Sequence, residues 1–324
     1  MHYLLLVLGL ATLVVTGDLL VRGAVGLSNR MGIPPLVIGL TVVAFGTSAP
    51  ELVVSLSAAA EGAPGLSIGN VVGSNITNIL FVLGVPALFF SIDCKQTGLR
   101  RSTAFMVFVS VLLIFLSLDQ TISFADGLIL MALLAAYLVY NGVEANRMRK
   151  KGQAIEEIVE EIDDAPDDTR KIAIYLLIGI IGLPLGGKLT TDSALAIAAV
   201  MGVAESTVGL TIVALGTSLP EFAAGMAAAL RKQSAVAIGN AVGSNIFNIL
   251  SIIGVTSMII PLHVDINFLT FDYWVMLLVS AALLPIVFMH RSIGRFEGLI
   301  MAGLYIVYMY FVFQVGHSVI EGSI

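Results

Sequence analysis

Two glutamates in this sequence stand where a carboxylate is costly. Glu51 lies near the middle of the apolar run 34–60, and Glu221 near the middle of the run 204–230. An ionisable group at the centre of a bilayer costs at least ~2.5–3.5 kcal/mol, so a functional role is the default for both. The ordinary alternatives are a protonated Glu bridging two helices or a side chain snorkelling to the interface; either would have to recur at two related positions. Proline precedes each carboxylate, at Pro50 and Pro220. A proline has no N–H and clashes with the preceding turn, so it interrupts its helix. Carbonyls around Ala44–Thr47 and Ala214–Thr217 would then lose helical partners, which lipid tolerates only where they line a cavity or meet an ion. The hydroxyls of Thr47, Ser48, Thr217 and Ser218 add neutral oxygens beside them.

A second motif supplies more. Asn78 lies four residues after Ser74, and Asn248 four after Ser244, so each pair shares a helical face. Asn70, Asn75, Asn240 and Asn245 are further intramembrane amides; since buried amides must find partners, they are expected to bond broken backbone rather than ligand. Gly69, Gly73, Gly239 and Gly243, at four-residue spacing, are read as helix packing. Every candidate ligand is an oxygen. The single cysteine, Cys94, and the four histidines lie outside both motifs, and one cysteine builds neither a disulfide framework nor a thiolate cluster. Such a donor set suits Ca2+ or Na+ over zinc or copper.

The elements that must hold these residues come in two copies. Residues 39–51 read GLTVVAFGTSAPE and 209–221 read GLTIVALGTSLPE; residues 68–84 read IGNVVGSNITNILFVLG and 238–254 read IGNAVGSNIFNILSIIG. Both pairs are offset by 170 positions without a gap, with ten of 13 and 12 of 17 positions identical. The surrounding chain is 58% hydrophobic and 12% charged over 324 residues, about half the charge of a soluble domain, so the bilayer is its solvent. Nothing in it offers a nucleic acid a basic face with interleaved aromatics. The apolar N-terminal run lacks a basic leader and is read as a first span rather than a signal peptide.

Apolar runs divide into ten expected spans: 3–27, 34–60, 66–90, 103–118, 124–144, 172–197, 204–230, 236–260, 273–289 and 295–314. The predicted fold class is an all-α membrane protein of ten transmembrane helices. These form two five-helix repeats, 1–145 and 172–324, joined by an acidic linker, 146–171. An odd number of spans per repeat forces the second copy to insert upside down. With the N-terminus outside, the inner loops collect Arg30, Lys95, Arg100, Arg101, Arg147, Arg149, Lys150, Lys151, Arg170, Lys171, Arg231, Lys232, Arg291 and Arg295, while Asp119, Asp126, Glu205, Asp265 and Asp272 fall outside. That asymmetry orients the chain in a plasma membrane with the 146–171 loop cytoplasmic. Ile155, Ile158, Val159 and Ile162 fall at helical spacing, compatible with a short amphipathic helix in an otherwise solvated linker.

These motifs make the sequence resemble the calcium/cation antiporter family, in its sodium/calcium exchanger branch. GTSAPE with GNVVGSNITN is similar to the first family repeat, and GTSLPE with GNAVGSNIFN to the second. The proton-coupled branch carries a Gly-Asn-Ala-x-Glu type signature instead. The resemblance, which covers nearly the whole chain, implies a secondary antiporter, not an enzyme, exchanging Na+ for Ca2+ by alternating access without a cofactor. It implies Ca2+ held by Glu51 and Glu221 with the carbonyls of Thr47 and Thr217. Flanking Na+ sites would use Ala44, Thr47, Ser48, Glu51 and Ser74 on one side, and Ala214, Thr217, Ser218, Glu221 and Ser244 on the other. Asn78 and Asn248 would close the middle. Potassium-dependent relatives and certain microbial ones carry Asp at the position of Asn248, so K+ independence is expected. Two glutamates offset one Ca2+; the three Na+ of the family would leave +1, so exchange would respond to voltage. The glycine-rich first spans, with Gly17, Gly23 and Gly26 in one copy and Gly182, Gly186 and Gly187 beside Pro184 in the other, are expected to slide over the rest.

Other readings stay open. A buried Glu can carry a proton, which would make a Ca2+/H+ antiporter. A cation channel could use the same oxygens, although filters are usually built on an axis along the pore. A hydrolase finds no His or Lys base beside Ser48 or Ser218.

Overall fold

The computed structural model describes residues 2–150, 164–200 and 214–321. In hydrocarbon every backbone polar group must be satisfied within the chain, and the apolar runs accordingly form helices. The first half holds α1 (His2–Met31), α2 (Pro35–Thr47), α3 (Ala49–Ala60), α4 (Pro64–Phe89), α5 (Leu99–Leu116) and α6 (Phe124–Lys150). The second holds α7 (Thr169–Val200), α8 (Ala214–Thr217), α9 (Leu219–Leu230), α10 (Ser234–Ile259), α11 (Phe268–Phe288) and α12 (Arg295–Glu321). Among the described residues eight helices are long and apolar enough to cross a membrane, and nine if the bent pair α2–α3 is one span. The run expected to make the tenth begins at 204 and falls partly in 201–213, outside the described residues.

Two of the expected spans shift. The run 103–118 is helical over Leu99–Leu116, and 273–289 over Phe268–Phe288. In both, polar residues of the preceding loop join the helix; α11 opens with a π-helical turn, Phe268–Asp272. Helix α6 carries on to Lys150, into the stretch read as linker, with Arg147, Arg149 and Lys150 at its negative dipole end. The expected amphipathic helix near 155–162 lies outside the described residues.

The helix breaks arise where the prolines require them. At Ser48 (φ −82°, ψ 3°) α2 gives way to α3 with a 42° bend, and Ser218 (φ −88°, ψ 4°) separates α8 from α9 in the same way. Helices α4 and α10 each contain a π-helical turn starting on the motif asparagine, Asn78–Leu83 and Asn248–Ile253. Such widened turns are frequent at functional sites.

Packing follows the glycines. Helices α1 and α7 run against each other: a Cβ on Gly186 would lie 3.1 Å from the Leu13 amide nitrogen, and one on Gly179 or Gly182 would collide with Leu20 or Thr16. Helix α10 lies on α2, where a Cβ on Gly239 would come 3.0 Å from the Leu36 carbonyl and one on Gly243 2.7 Å from that of Leu40. The packing role expected of the four motif glycines is therefore visible at these two. Gly69 meets only the Phe268 ring at 3.5 Å, and Gly73 meets no atom within 4 Å among the described residues. Their repeat-related partners fall in 201–213.

Short antiparallel contacts join loops of the two halves: β1 (Thr121–Ile122) pairs with β2 (Leu262–His263), and Ile92 bridges Ile293.

Candidate cation site

Glu51 stands in the first turn of α3 and Glu221 in the first turn of α9, where unpaired N–H groups and the positive end of the helix dipole favour a carboxylate. Both side chains are fully buried. Ser48 Oγ donates to Glu221 Oε1 at 3.2 Å. Glu221 Oε2 and both carboxylate oxygens of Glu51 meet no donor among the described residues. A buried acceptor without a partner costs about 1–3 kcal/mol, more when charged. The pair is tolerable only with positive charge between its members, as metal cations or a shared proton.

The neutral oxygens are supplied across the two halves. Thr47 Oγ1 lies 3.2 Å from Asn240 Oδ1 and 3.4 Å from Ser244 Oγ, and Thr217 Oγ1 donates to Asn70 Oδ1 at 3.5 Å. Asn70 and Asn240 also cap the broken backbone, giving Nδ2 to the carbonyls of Glu51 and Glu221, each at 3.2 Å. Ser74 and Thr217 line a shared cavity of about 450 Å³. Ser218 Oγ is buried without a partner among the described residues.

The two middle asparagines have fixed orientations. Asn75 Nδ2 donates to the Asn245 carbonyl at 3.4 Å, and Asn245 Nδ2 to the Asn75 carbonyl at 3.1 Å. A carbonyl can only accept, so the side-chain oxygens of Asn75 and Asn245 must themselves accept. They receive the amides of Asn248 and Asn78, each at 3.0 Å. The Oδ1 atoms of Asn78 and Asn248 are thereby turned away from these bonds, buried and without a partner among the described residues.

One candidate ligand is already engaged. The Ala44 carbonyl accepts the Ser48 N–H at 3.0 Å and the Thr47 hydroxyl at 3.3 Å, so it is not among the carbonyls freed by Pro50. The reason is local: the bend begins at Ser48, one turn after Ala44, and Ser48 still reaches back. Pro50 instead withholds an N–H from Gly46. Ala214 is the first residue of α8, and the Leu215 carbonyl beside it accepts the Ser218 N–H at 3.1 Å. Among the described residues no three His, Cys, Asp or Glu side chains gather.

The sequence reading left out four charged residues inside the first spans: Asp18 with Arg22 in α1, and Lys188 with Asp192 in α7. The signal was present at the same 170-residue offset but with the signs exchanged, which a search for identities passes over.

A multi-pass helical membrane protein that buries paired carboxylates among neutral oxygens on broken helices belongs to the class of ion-coupled transporters. Comparison with known proteins narrows this. The family model described as sodium/calcium exchanger protein matches residues 1–143 and 171–314. The inner membrane protein YrbG of Escherichia coli (strain K12) is 35% identical over 98% of either chain. The sodium/calcium exchanger MaX1 of Methanosarcina acetivorans is 30% identical over 97% of this chain and 99% of its own. The structure of the sodium-calcium exchanger NCX_Mj soaked with 2.5 mM Na+ and 0.1 mM Ca2+ superposes with a TM-score of 0.82 at 30% identity, covering 95% of this chain and 97% of that one. The chain belongs to the sodium/calcium exchanger family and is a cation/Ca2+ antiporter of that type, a secondary transporter.

Proposed function

We propose that this protein exchanges Na+ for Ca2+ across the plasma membrane by alternating access, electrogenically and without K+. The observation that carries this reading is the buried carboxylate pair, Glu51 and Glu221, with three oxygens unpartnered among the described residues, together with the buried and likewise unpartnered amide oxygens of Asn78 and Asn248. Ca2+ sits between the two glutamates with the backbone of Thr47 and Thr217. Na+ ions take the flanking positions, with Ser48, Ser74 and the Ala44 segment on one side, and Ser218, Ser244 and the Ala214 segment on the other. The relatives and the solved neighbour named above support Na+ and Ca2+ as the transported ions. Amides at both middle positions, rather than a third carboxylate, support independence from K+.

The chain is read as ten spans in two inverted five-helix repeats, N-terminus outside, with 146–171 cytoplasmic. The inter-loop pairing supports this: Ile92 and Ile293 lie in loops the positive charges assign to the inside, and Thr121 and His263 in loops assigned outside.

The deciding experiment is uptake of radiolabelled Ca2+ into proteoliposomes loaded with Na+ in K+-free buffer, beside a matched set driven by a pH gradient. The expected result is uptake that needs internal Na+ and collapses when Na+ is added outside. Uptake driven by the proton gradient alone would move the protein to Ca2+/H+ exchange, the second reading that two buried carboxyl groups support. Flux without any counter-ion would make it a channel.

A further inference from the structure

In this conformation α1 is fastened to α9. The Asp18 carboxylate accepts from Arg231 Nε at 2.5 Å, while its own-helix neighbour Arg22 is held at 3.9 Å. Beside it, Gly17 lies against α9 so closely that a Cβ would come 3.0 Å from the Ala223 carbonyl oxygen.

Adding the repeat offset of 170 turns Asp18 into Lys188, Arg22 into Asp192, Glu61 into Arg231, Gly17 into Gly187 and Val53 into Ala223. Every charge is present again with its sign reversed. The bond Asp18–Arg231 therefore has a complementary image, Lys188–Glu61, between α7 and the end of α3. That image is not formed. Lys188 Nζ pairs with Asp192 Oδ2 on its own helix at 3.1 Å, Glu61 is exposed, and Val53 is 64% exposed. Gly187 faces Pro220, which a Cβ there would meet at 3.4 Å, instead of Val53. One end is docked with its long-range ion pair made; the other is undocked with its charge held by an i,i+4 neighbour.

We propose that these residues are the two ends of one latch. It rests on the alternating-access reading above. In the opposite-facing conformation Lys188 leaves Asp192 for Glu61 and Gly187 seats on Val53, while Asp18 releases Arg231 and falls back on Arg22. The two ends are coupled because α1 and α7 move as one body. They are packed together through Gly179, Gly182 and Gly186, and Arg22 also donates to the Asp164 carbonyl, just before α7, at 2.9 and 3.1 Å. Exchange of partners keeps Asp18 and Lys188 each paired at both ends of the stroke, which matters most for Asp18, since a stranded partly buried charge is costly.

The test is cross-linking in a C94S background with a short bifunctional thiol reagent. The pairs D18C/R231C and E61C/K188C are each expected to cross-link, and in the four-cysteine protein a molecule carries one bridge or the other, never both, as read by intact mass. Removing the remaining latch should shift the balance: R231Q added to E61C/K188C speeds its cross-linking roughly fivefold, and E61Q added to D18C/R231C does the same for that pair. Two bridges in one molecule, no E61C/K188C bridge in protein that still transports, or no response to R231Q and E61Q would overturn the latch. Mutual exclusion is read by mass without any ion gradient. If exclusion holds while Na+ fails to drive uptake, the latch stands and only the choice of coupling ion is wrong.

Discussion

At the residue scale the site is two charges and a set of oriented dipoles. Replacing either carboxylate by its isosteric amide, E51Q or E221Q, removes one charge and puts an NH2 where an acceptor stood. Charge-assisted contacts of this kind are worth roughly 1.5–3 kcal/mol each, so Ca2+ counterflow in proteoliposomes should fall by about a hundredfold or more. Retention of near-normal flux in either variant would remove that glutamate from the site. Asn75 and Asn245 offer a subtler probe, because they hold the amides of Asn248 and Asn78 without needing to touch the ion. Loss of a group that orients a ligand typically costs 10–100-fold in affinity. N75A and N245A are expected to raise the Ca2+ concentration for half-maximal exchange by that factor, and to lower the melting temperature in detergent as well, since each strands a buried carbonyl and a buried amide. The glutamates were legible in the sequence because an acid in an apolar run is conspicuous. The asparagine relay was not, because reciprocal bonds between positions 75 and 245 exist only once the two halves are docked.

At the element scale the organising contact is α1 against α7. Gly182 has no room for a side chain beside Thr16, nor Gly179 beside Leu20. Substituting Gly182→Val should separate the two helices and destabilise the fold by about 1–3 kcal/mol, the usual cost of overpacking. A lower melting temperature in detergent checks it; an unchanged melting curve would mean the helices part easily. The breaks at Ser48 and Ser218 could be read from Pro50 and Pro220, since a missing N–H has a local consequence. The start of α5 at Leu99 and of α11 at Phe268 could not, because Arg100 and Arg101 in the one and Thr270 and Asp272 in the other interrupt the apolar run that marks a span. The engaged carbonyl of Ala44 was hidden for a related reason: the bend begins one turn later than a simple count back from proline places it.

At the scale of the whole molecule the charge arithmetic and the isolation of reactive groups are what can be measured. Under the proposed exchange of three Na+ for one Ca2+, two buried glutamates would neutralise Ca2+ and leave one positive charge with Na+ bound, so each cycle would carry charge through the field. Moving one charge across the membrane is worth about 2.3 kcal/mol per 100 mV, and a K+/valinomycin potential, positive on the side the charge leaves, should accelerate exchange while the reverse slows it. Rates that stay flat across imposed potentials would contradict an electrogenic cycle. Cys94, between α4 and α5, is buried, and burial pushes its thiol up to about 12. It should resist maleimide at neutral pH until the protein is denatured, whereas prompt labelling of folded protein would mean that this loop opens. The repeat, and with it the convergence of two motifs on one pocket, was plain in the sequence because the copies are gapless. The charged residues of α1 and α7 were overlooked because, taken one helix at a time, each reads as an ordinary i,i+4 pair.

The α1–α7 contact maps onto itself. Gly9 meets Thr190 and Gly179 meets Leu20, and the 170-residue offset converts one pair into the other. If exchange proceeds by the proposed alternating access, a stroke of this helix pair would join two end points that resemble each other wherever the repeat is kept. Duplicate end points are close in free energy. Such a machine has little built-in direction: it runs forward or backward at comparable cost, and the ion gradients alone decide which way Ca2+ goes.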